Sequence, residues 1–289
     1  MHPADTAAIA WWVWPIALFA VTLLLGIVAV IAGIGGGVLF VPIVAGFFPF
    51  HLDFVRGAGL LLALSGTLAA GPVLLRSGMA NLRLVMPLAL TGSIASLAGA
   101  MIGLSAPANI LQTALGIIVI AVALLIWRVK PANSTGIEES DPLGAVLRLV
   151  GRFEDPAAGG RVDWRTNQTP AGLMVFAVIG FLGGVFGLGA GFANVPALSL
   201  LMGAPLKVAV GSSGLIISIV NSSAAWVYIN SGAVLPIIVV PSILGIMMGS
   251  RIGAGLLRTT SADTVRRLII ATMLLAGTRA LLRGLGLWN

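Results

Sequence analysis

The sequence predicts an all-α polytopic membrane protein built from two repeated halves. Three observations carry this. First, 58% of the 289 residues are apolar and only 9% are charged, against about 25% charged in ordinary soluble domains. A soluble domain so composed could not cover its surface with polar groups. Second, ten apolar segments recur along the chain, at 13–33, 37–49, 54–75, 84–104, 108–127, 170–187, 191–203, 208–230, 233–257 and 265–282, eight of them near the length of a full span. Most approach the ~20 residues that cross a bilayer as a helix. Helix follows because lipid leaves each backbone group to find its partner within its own segment. Third, the two halves repeat.

The repeat is read from glycine and proline, since matching apolar residues mean little in such a chain. Adding 154 to a first-half number finds its mate without gaps, as from Gly33 to Gly187. Gly35 and Gly37 map onto Gly189 and Gly191, and Val41-Pro42 onto Val195-Pro196. Gly57 maps onto Gly211, Ser77-Gly78 onto Ser231-Gly232, Pro87 onto Pro241, and Gly99-Ala100 onto Gly253-Ala254. The organisation is a first transmembrane repeat at 1–127, a connector at 128–169 and a second repeat at 170–289.

Loop charges orient the halves. The loop around 76–83 carries Arg76 and Arg83, and that near 258–267 carries Arg258, Arg266 and Arg267; both go to the cytoplasm by the positive-inside rule. Their mates at 230–234 and near 104–108 carry no charge and go outside. Equivalent loops on opposite sides define an inverted-topology repeat, an architecture of secondary transporters. It needs an odd number of crossings per half, met by three full spans plus a short broken pair. The broken pairs fall at 37–49 and 191–203, which as helices rise only about 18–20 Å, short of the ~30 Å hydrocarbon core.

The connector balances six basic against six acidic residues and is expected in the cytoplasm. Leu143, Val146, Leu147 and Val150 follow helical spacing, as in a short amphipathic helix on the membrane surface; a disordered linker is the alternative. Trp11, Trp12, Trp14, Trp127, Trp164 and Trp288 fall near segment ends, as interfacial anchors do. The N-terminus lacks a basic region and its apolar run outlasts a signal peptide, so the first segment reads as a retained span.

Composition excludes several chemistries. Without cysteine there is no disulfide, thiolate metal site, iron–sulfur cluster or cysteine nucleophile. Two histidines, His2 and His51, cannot build a multi-histidine metal site, so no metal or other cofactor is expected. The net charge of +7 lacks the basic cluster that nucleic-acid binding needs.

Candidate chemistry begins at the glycine motifs, Gly33-Ile34-Gly35-Gly36-Gly37 and Gly187-Leu188-Gly189-Ala190-Gly191, each leading into Val-Pro. Glycine lets the backbone leave the helix, and irregular backbone at membrane depth is tolerated only where it is buried or lines a cavity. The short helices that follow would present unpaired N–H groups and a positive dipole end, an anion site without fixed charge. The competing reading is close helix packing through small residues. Candidate substrate-binding residues are therefore Gly35, Gly36, Gly37, Gly189, Ala190 and Gly191, joined by polar groups inside apolar spans: Thr67, Asn194, Ser212, Ser213 and Asn221. Hydroxyls and amides bind oxyanions without a charged group's desolvation penalty, although they also serve helix–helix hydrogen bonds. Arg56 and Lys207 follow the two short segments and would draw an anion into a vestibule; otherwise Arg56 pairs with Asp53 at i,i+3 and Lys207 reaches the interface. Arg251 is a further intramembrane cation, or reaches the cytoplasmic boundary. Gly211-Ser212-Ser213-Gly214 fits the GxSG pattern of rhomboid intramembrane proteases, but such a serine needs a base, and His2 is terminal and His51 in a loop. The chain is read as a non-enzyme.

These residues resemble the TauE/SafE family: the duplicated Gly-rich/Val-Pro motif with Gly211-Ser212-Ser213 after its second copy, Ser77-Gly78 before the span from Leu84, and Gly249-Ser250-Arg251-Ile252-Gly253-Ala254 leading to Arg266-Arg267-Leu268. The resemblance covers nearly all of both halves and spares the connector. It implies an exporter of sulfite or organosulfonates, or a related permease, in a bacterial inner membrane. The residues themselves imply only a small anion as substrate. The expected mechanism is alternating access around a site between the two glycine motifs. A passive channel of the same fold and a membrane scaffold are the alternatives. The lipid bilayer is the expected partner; a proton or ion gradient and self-association into a homo-oligomer stay open. Asp53 is the one acidic residue placed near a vestibule.

Overall fold

The structure, a computed structural model, describes residues 12–32, 36–76, 80–128, 140–155, 160–188, 191–256 and 262–287. Each of the ten apolar segments forms helix. The first half comprises α1 (Val13–Ala32), α2 (Gly36–Phe47), α3 (Leu52–Arg76), α4 (Leu82–Ser105) and α5 (Ala108–Arg128). After α6 (Pro142–Val146), β1 (Val150–Asp155) and β2 (Gly160–Arg165) come α7 (Thr169–Phe186), α8 (Gly191–Pro196) running into a π-helical turn (Ala197–Leu201), α9 (Leu206–Asn230), α10 (Pro236–Leu256) and α11 (Ala262–Gly284). The same offset carries Leu52, Leu82 and Ala108, the first residues of α3, α4 and α5, onto Leu206, Pro236 and Ala262, the first residues of α9, α10 and α11. Among the described residues, α1, α3, α4, α7, α9 and α10 are long and apolar enough to cross a membrane.

Helices of one half pack mainly on helices of the other. α1 lies parallel to α10, with Gly26 against Ile246 and Ser250 and Ile27 against Gly253. α4 lies parallel to α7 in the same manner, Gly92 beside Gly180 and Gly99 beside Val185. The mates α3 and α9 cross antiparallel, Gly57 beside Tyr228 and Thr67 beside Ser218. The mates α5 and α11 are also antiparallel, Gly116 against Leu281 and Gly277 against Ile120. Small residues at these seams let backbones approach, which matters where lipid removes the hydrophobic drive between helices.

The bundle has two distinct ends. α3 and α10 run parallel, Gly66 beside Ser250 and Ala70 clustered with Ala254. Asn81, which caps the start of α4, touches Gly151 of the connector. The end of α3, the start of α4, the connector and the end of α10 therefore share one face. The starts of α1 and α3 and the ends of α4 and α9 lie at the other.

The connector differs from the reading by helical spacing. α6 is a single turn, and Val150 opens an antiparallel hairpin in which Gly151 faces Trp164 and Arg152 faces Asp163. The helix stops because Arg148 takes φ 51, a left-handed conformation that ends helices. Trp164 is 5% exposed and packs with Leu84, Leu149, Leu198 and Met202; it is a core residue, not an interfacial anchor. Trp12 and Trp127 are exposed, while Trp11 and Trp288 lie outside the described residues. Asp141 ties the connector to α7, accepting hydrogen bonds from Thr169 Oγ1 at 2.7 Å, Thr169 N at 3.3 Å and Gly144 N at 3.2 Å. Partial burial alone would raise its pKa; those hydrogen bonds outweigh it and hold the carboxyl below its ordinary value.

Candidate functional site at the helix breaks

The two glycine motifs meet inside the bundle. Gly36 opens α2 against Ile246, the middle residue of α10. α2 therefore begins at mid-depth, and its twelve residues rise about 18 Å to one end only. A Cβ on Gly37 would stand 2.7 Å from the Gly59 carbonyl oxygen and 2.8 Å from that of Leu188, closer than any side chain permits. Gly187, at φ +65, ends α7 just before Leu188. The start of α2 thus presses on the turn that precedes the second motif. In that motif Gly191 is buried and opens α8, which gives way at Pro196 to the π-helical turn; such wide turns recur at functional sites. Gly35, Gly189 and Ala190 lie outside the described residues.

The polar candidates are buried at different depths: Thr67 borders a small cavity beside Gly36, whereas Ser212 lies near the connector face. Asn194 and Asn221 are both 0% exposed, and neither amide oxygen nor nitrogen of either has a partner among the described residues. Thr67 Oγ1 lies 2.6 Å from Ser218 Oγ, joining α3 to α9. Ser212 is buried and accepts the Asn81 backbone N–H at 3.2 Å; Ser213 is buried beside it. Between the halves lies a cavity of about 30 Å³ bordered by Gly36, Gly66, Thr67, Gly214 and Ser250. It has room for one or two waters and is too small for a tetrahedral oxyanion. Ser250, the repeat mate of Ser96, was legible only as part of the Gly249–Ala254 motif and not as a cavity residue, because single serines are too common in such spans to stand out.

Of the charged candidates, Arg56 packs against Gly187 at the start of the second motif. Arg56 is 1% exposed. It donates to Asp53 Oδ1 at 2.8 Å and to the Val185 carbonyl, and stacks 5.3 Å from the Tyr228 ring centre. Tyr228 in turn donates to the Gly184 carbonyl at 3.1 Å. A cation at these unpaired carbonyls suits the negative end of α7, at the end of the bundle away from the connector. The i,i+3 pairing with Asp53 is the bland alternative the sequence offered; the contact with Val185 is long-range and had no sequence signal. Lys207 belongs to the first turn of α9, and its side chain lies outside the described atoms. Arg251 is exposed. His51 sits beside Asp53 at 3.5 Å, at the end opposite Ser212. No three His, Cys, Asp or Glu cluster as metal ligands among the described residues.

A bundle of apolar spans, with broken helices meeting at mid-depth over buried polar groups, has the architecture of a multi-pass membrane transporter. Residues 18–280 match the family described as Sulfite exporter TauE/SafE, and the chain belongs to that family. It is 24% identical over 278 residues to "Probable membrane transporter protein YunE" of Bacillus subtilis (strain 168), covering 93% of this chain and 97% of that protein. It is 26% identical over 268 residues to "Probable membrane transporter protein ORF9" of Sinorhizobium sp, covering 91% of each. No solved structure matches.

Proposed function

We propose that the protein is a secondary transporter of a small organic or sulfur oxyanion, of the sulfite, sulfonate or sulfoacetate kind, across the bacterial inner membrane. The observation that carries this reading is that two fully buried carboxamides, Asn194 and Asn221, have no partner among the described residues. An unsatisfied buried polar group costs about 1–3 kcal/mol, a cost a transporter recovers when substrate oxygens reach the N–H donors. The α2 N–H groups at 36–38 and the hydroxyls of Thr67 and Ser218 complete a site with hydrogen-bond donors and no fixed charge. Arg56, near the opposite end from the connector, positions the end of α7 under the second motif.

Alternating access draws support from two features. The mates α3 and α9, and α5 and α11, run antiparallel, as inverted repeats require. The cavity beside Gly36 and Thr67 is too small for the substrate, which supports a reading in which the halves part to admit it. A passive channel would instead need a continuous path. Labelled sulfite and an organic sulfonate, offered to proteoliposomes with and without imposed pH and voltage gradients, test this. Gradient-driven accumulation that Asn194→Leu abolishes, with insertion intact, is the expected result. Flux that only equalises concentrations would make it a channel, and normal transport by Asn194→Leu would move the site elsewhere.

A further inference from the structure

We propose that the connector and the first turn of α4 form a binding site for a phosphate-bearing anion, separate from the transport site at the helix breaks. A cavity of about 760 Å³ opens between α4, the turn after α6 and the hairpin, bordered by Arg83, Arg148, Arg152, Asp163, Trp164 and Arg165. That volume lies within the roughly 300–1,000 Å³ of small-molecule sites. Among the described residues that border it are four arginines and one carboxylate, Asp163, which Arg152 holds at 2.6 Å. Planar guanidinium groups recognise phosphate by paired hydrogen bonds.

Two of the four arginines stand where local physics disfavours them. Arg83 is in the first turn of α4, just after its cap Asn81, at the positive end of the helix dipole where a cation is unwelcome. Arg148 ends α6 at φ 51, a position that glycine normally fills. Orientation across the membrane accounts for a cation in the loop before α4, but not for an arginine in a left-handed turn. Both side chains are exposed and border the same cavity, and a bound anion would offset both local costs. In the same wall, Ser140 Oγ is sealed from solvent without a hydrogen-bond partner among the described residues.

The cavity also abuts the second broken helix. Trp164 packs with Leu149 of the connector and with Leu198 and Met202, which follow Asn194 on the second broken helix. Asn167 N–H donates to the Met202 carbonyl at 3.0 Å. An occupied site would stiffen the hairpin against this segment.

Phosphate chemistry reaches this face from two sources, a soluble phosphorylated compound or an anionic lipid headgroup. The test uses the purified full chain. Inorganic pyrophosphate binding is followed by calorimetry in neutral detergent. Lipid retention is followed by native mass spectrometry from nanodiscs of phosphatidylcholine with or without phosphatidylglycerol. Arg148→Gly suits its backbone conformation and should keep or raise the unfolding temperature; Arg83→Gln removes the second cation. The expected result is salt-sensitive binding that each substitution weakens tenfold or more. Dependence on the arginines for pyrophosphate identifies a soluble ligand, and for phosphatidylglycerol alone a lipid headgroup. Binding of neither probe by the wild type, or equal binding by both well-folded variants, overturns the proposal.

Discussion

Thr67 and Ser218 share a hydrogen bond of 2.6 Å where α3 crosses α9. The crossing joins repeat mates: Thr67 corresponds to Asn221, and Ser218 to Leu64. Each half thus contributes one hydroxyl to the bonded pair, and the residue matching Thr67 in the second half is an amide with no partner among the described residues. Each hydroxyl also bonds its own helix, Thr67 to the Ala63 carbonyl and Ser218 to that of Gly214, so neither loses every partner when the other is removed. A double-mutant cycle of Thr67→Val and Ser218→Ala should therefore give a coupling of about 0.6 kcal/mol, the average for such bonds in membrane proteins. Reversible unfolding in mixed micelles measures it. A coupling of zero would mean that the crossing is held by packing alone.

Asn194 and Asn221 predict opposite effects on stability and function. Replacing a buried amide that has no partner among the described residues by leucine removes its desolvation cost at similar volume. Asn194→Leu and Asn221→Leu should each leave the unfolding temperature equal or higher while oxyanion transport falls to background. Thermal unfolding and proteoliposome flux, measured on one preparation, provide the check. A destabilised variant would show that these amides hold the fold together.

Gly37 and Gly71 make a controlled pair. A methyl on Gly37 meets two backbone carbonyls, neither of which can swing aside, whereas a methyl on Gly71 meets nothing within 4 Å. Overpacking of this kind costs about 1–3 kcal/mol, and helical Gly→Ala otherwise gains about 0.5–1 kcal/mol. Gly37→Ala should lose stability and transport together, and Gly71→Ala should preserve both. Equal behaviour of the two variants would deny the contact between the motifs.

The spans were legible in the sequence because lipid demands a continuous apolar helix, and composition alone reports that. The fixed offset from Gly33 to Gly187 was legible because glycine and proline are constrained by backbone geometry rather than by hydropathy. Asn194 and Asn221 stood out as amides within apolar spans. The hairpin was not legible, because Leu143, Val146, Leu147 and Val150 happen to follow helical spacing. Only the left-handed turn at Arg148 breaks that pattern, and arginine gives no warning of it. The Asp53 partner of Arg56 was legible from its i,i+3 spacing, but its long-range partner was hidden: Val185 lies 129 residues away, and nothing local marks which carbonyl a buried guanidinium will reach.

Arg56 should matter more to folding than Asp53. Arg56 is 1% exposed and serves Asp53, the Val185 carbonyl and the Tyr228 ring, whereas the Asp53 side chain is 33% exposed. Removing the buried partner with Arg56→Met leaves the end of α7 uncapped, and losses of about 3 kcal/mol are typical of broken buried pairs. Asp53→Asn keeps a hydrogen-bond acceptor beside Arg56 and leaves its other two contacts in place, so its cost should be smaller. The order of unfolding temperatures, wild type above Asp53→Asn above Arg56→Met, is the check. The reverse order would show that the carboxylate is the essential member.

Asp141 predicts how the connector responds to acid. Its carboxyl is held below its ordinary value by the hydrogen bonds from Thr169 and Gly144, which outweigh the burial that opposes them. A depressed carboxylate contributes its full stability above the unfolded-state pKa, near 3.9. The contribution is lost as pH falls through the lower folded-state value. The tie between connector and α7 should therefore hold unchanged from neutral pH down to about pH 5 and weaken below about pH 4. Asp141→Asn should remove that acid dependence and raise amide exchange at Gly144 and Thr169 already at neutral pH. Hydrogen exchange of the full chain across that range would show both effects. Protection of Gly144 and Thr169 unchanged by Asp141→Asn would mean that the hairpin is held by Trp164 and its apolar neighbours rather than by the carboxylate.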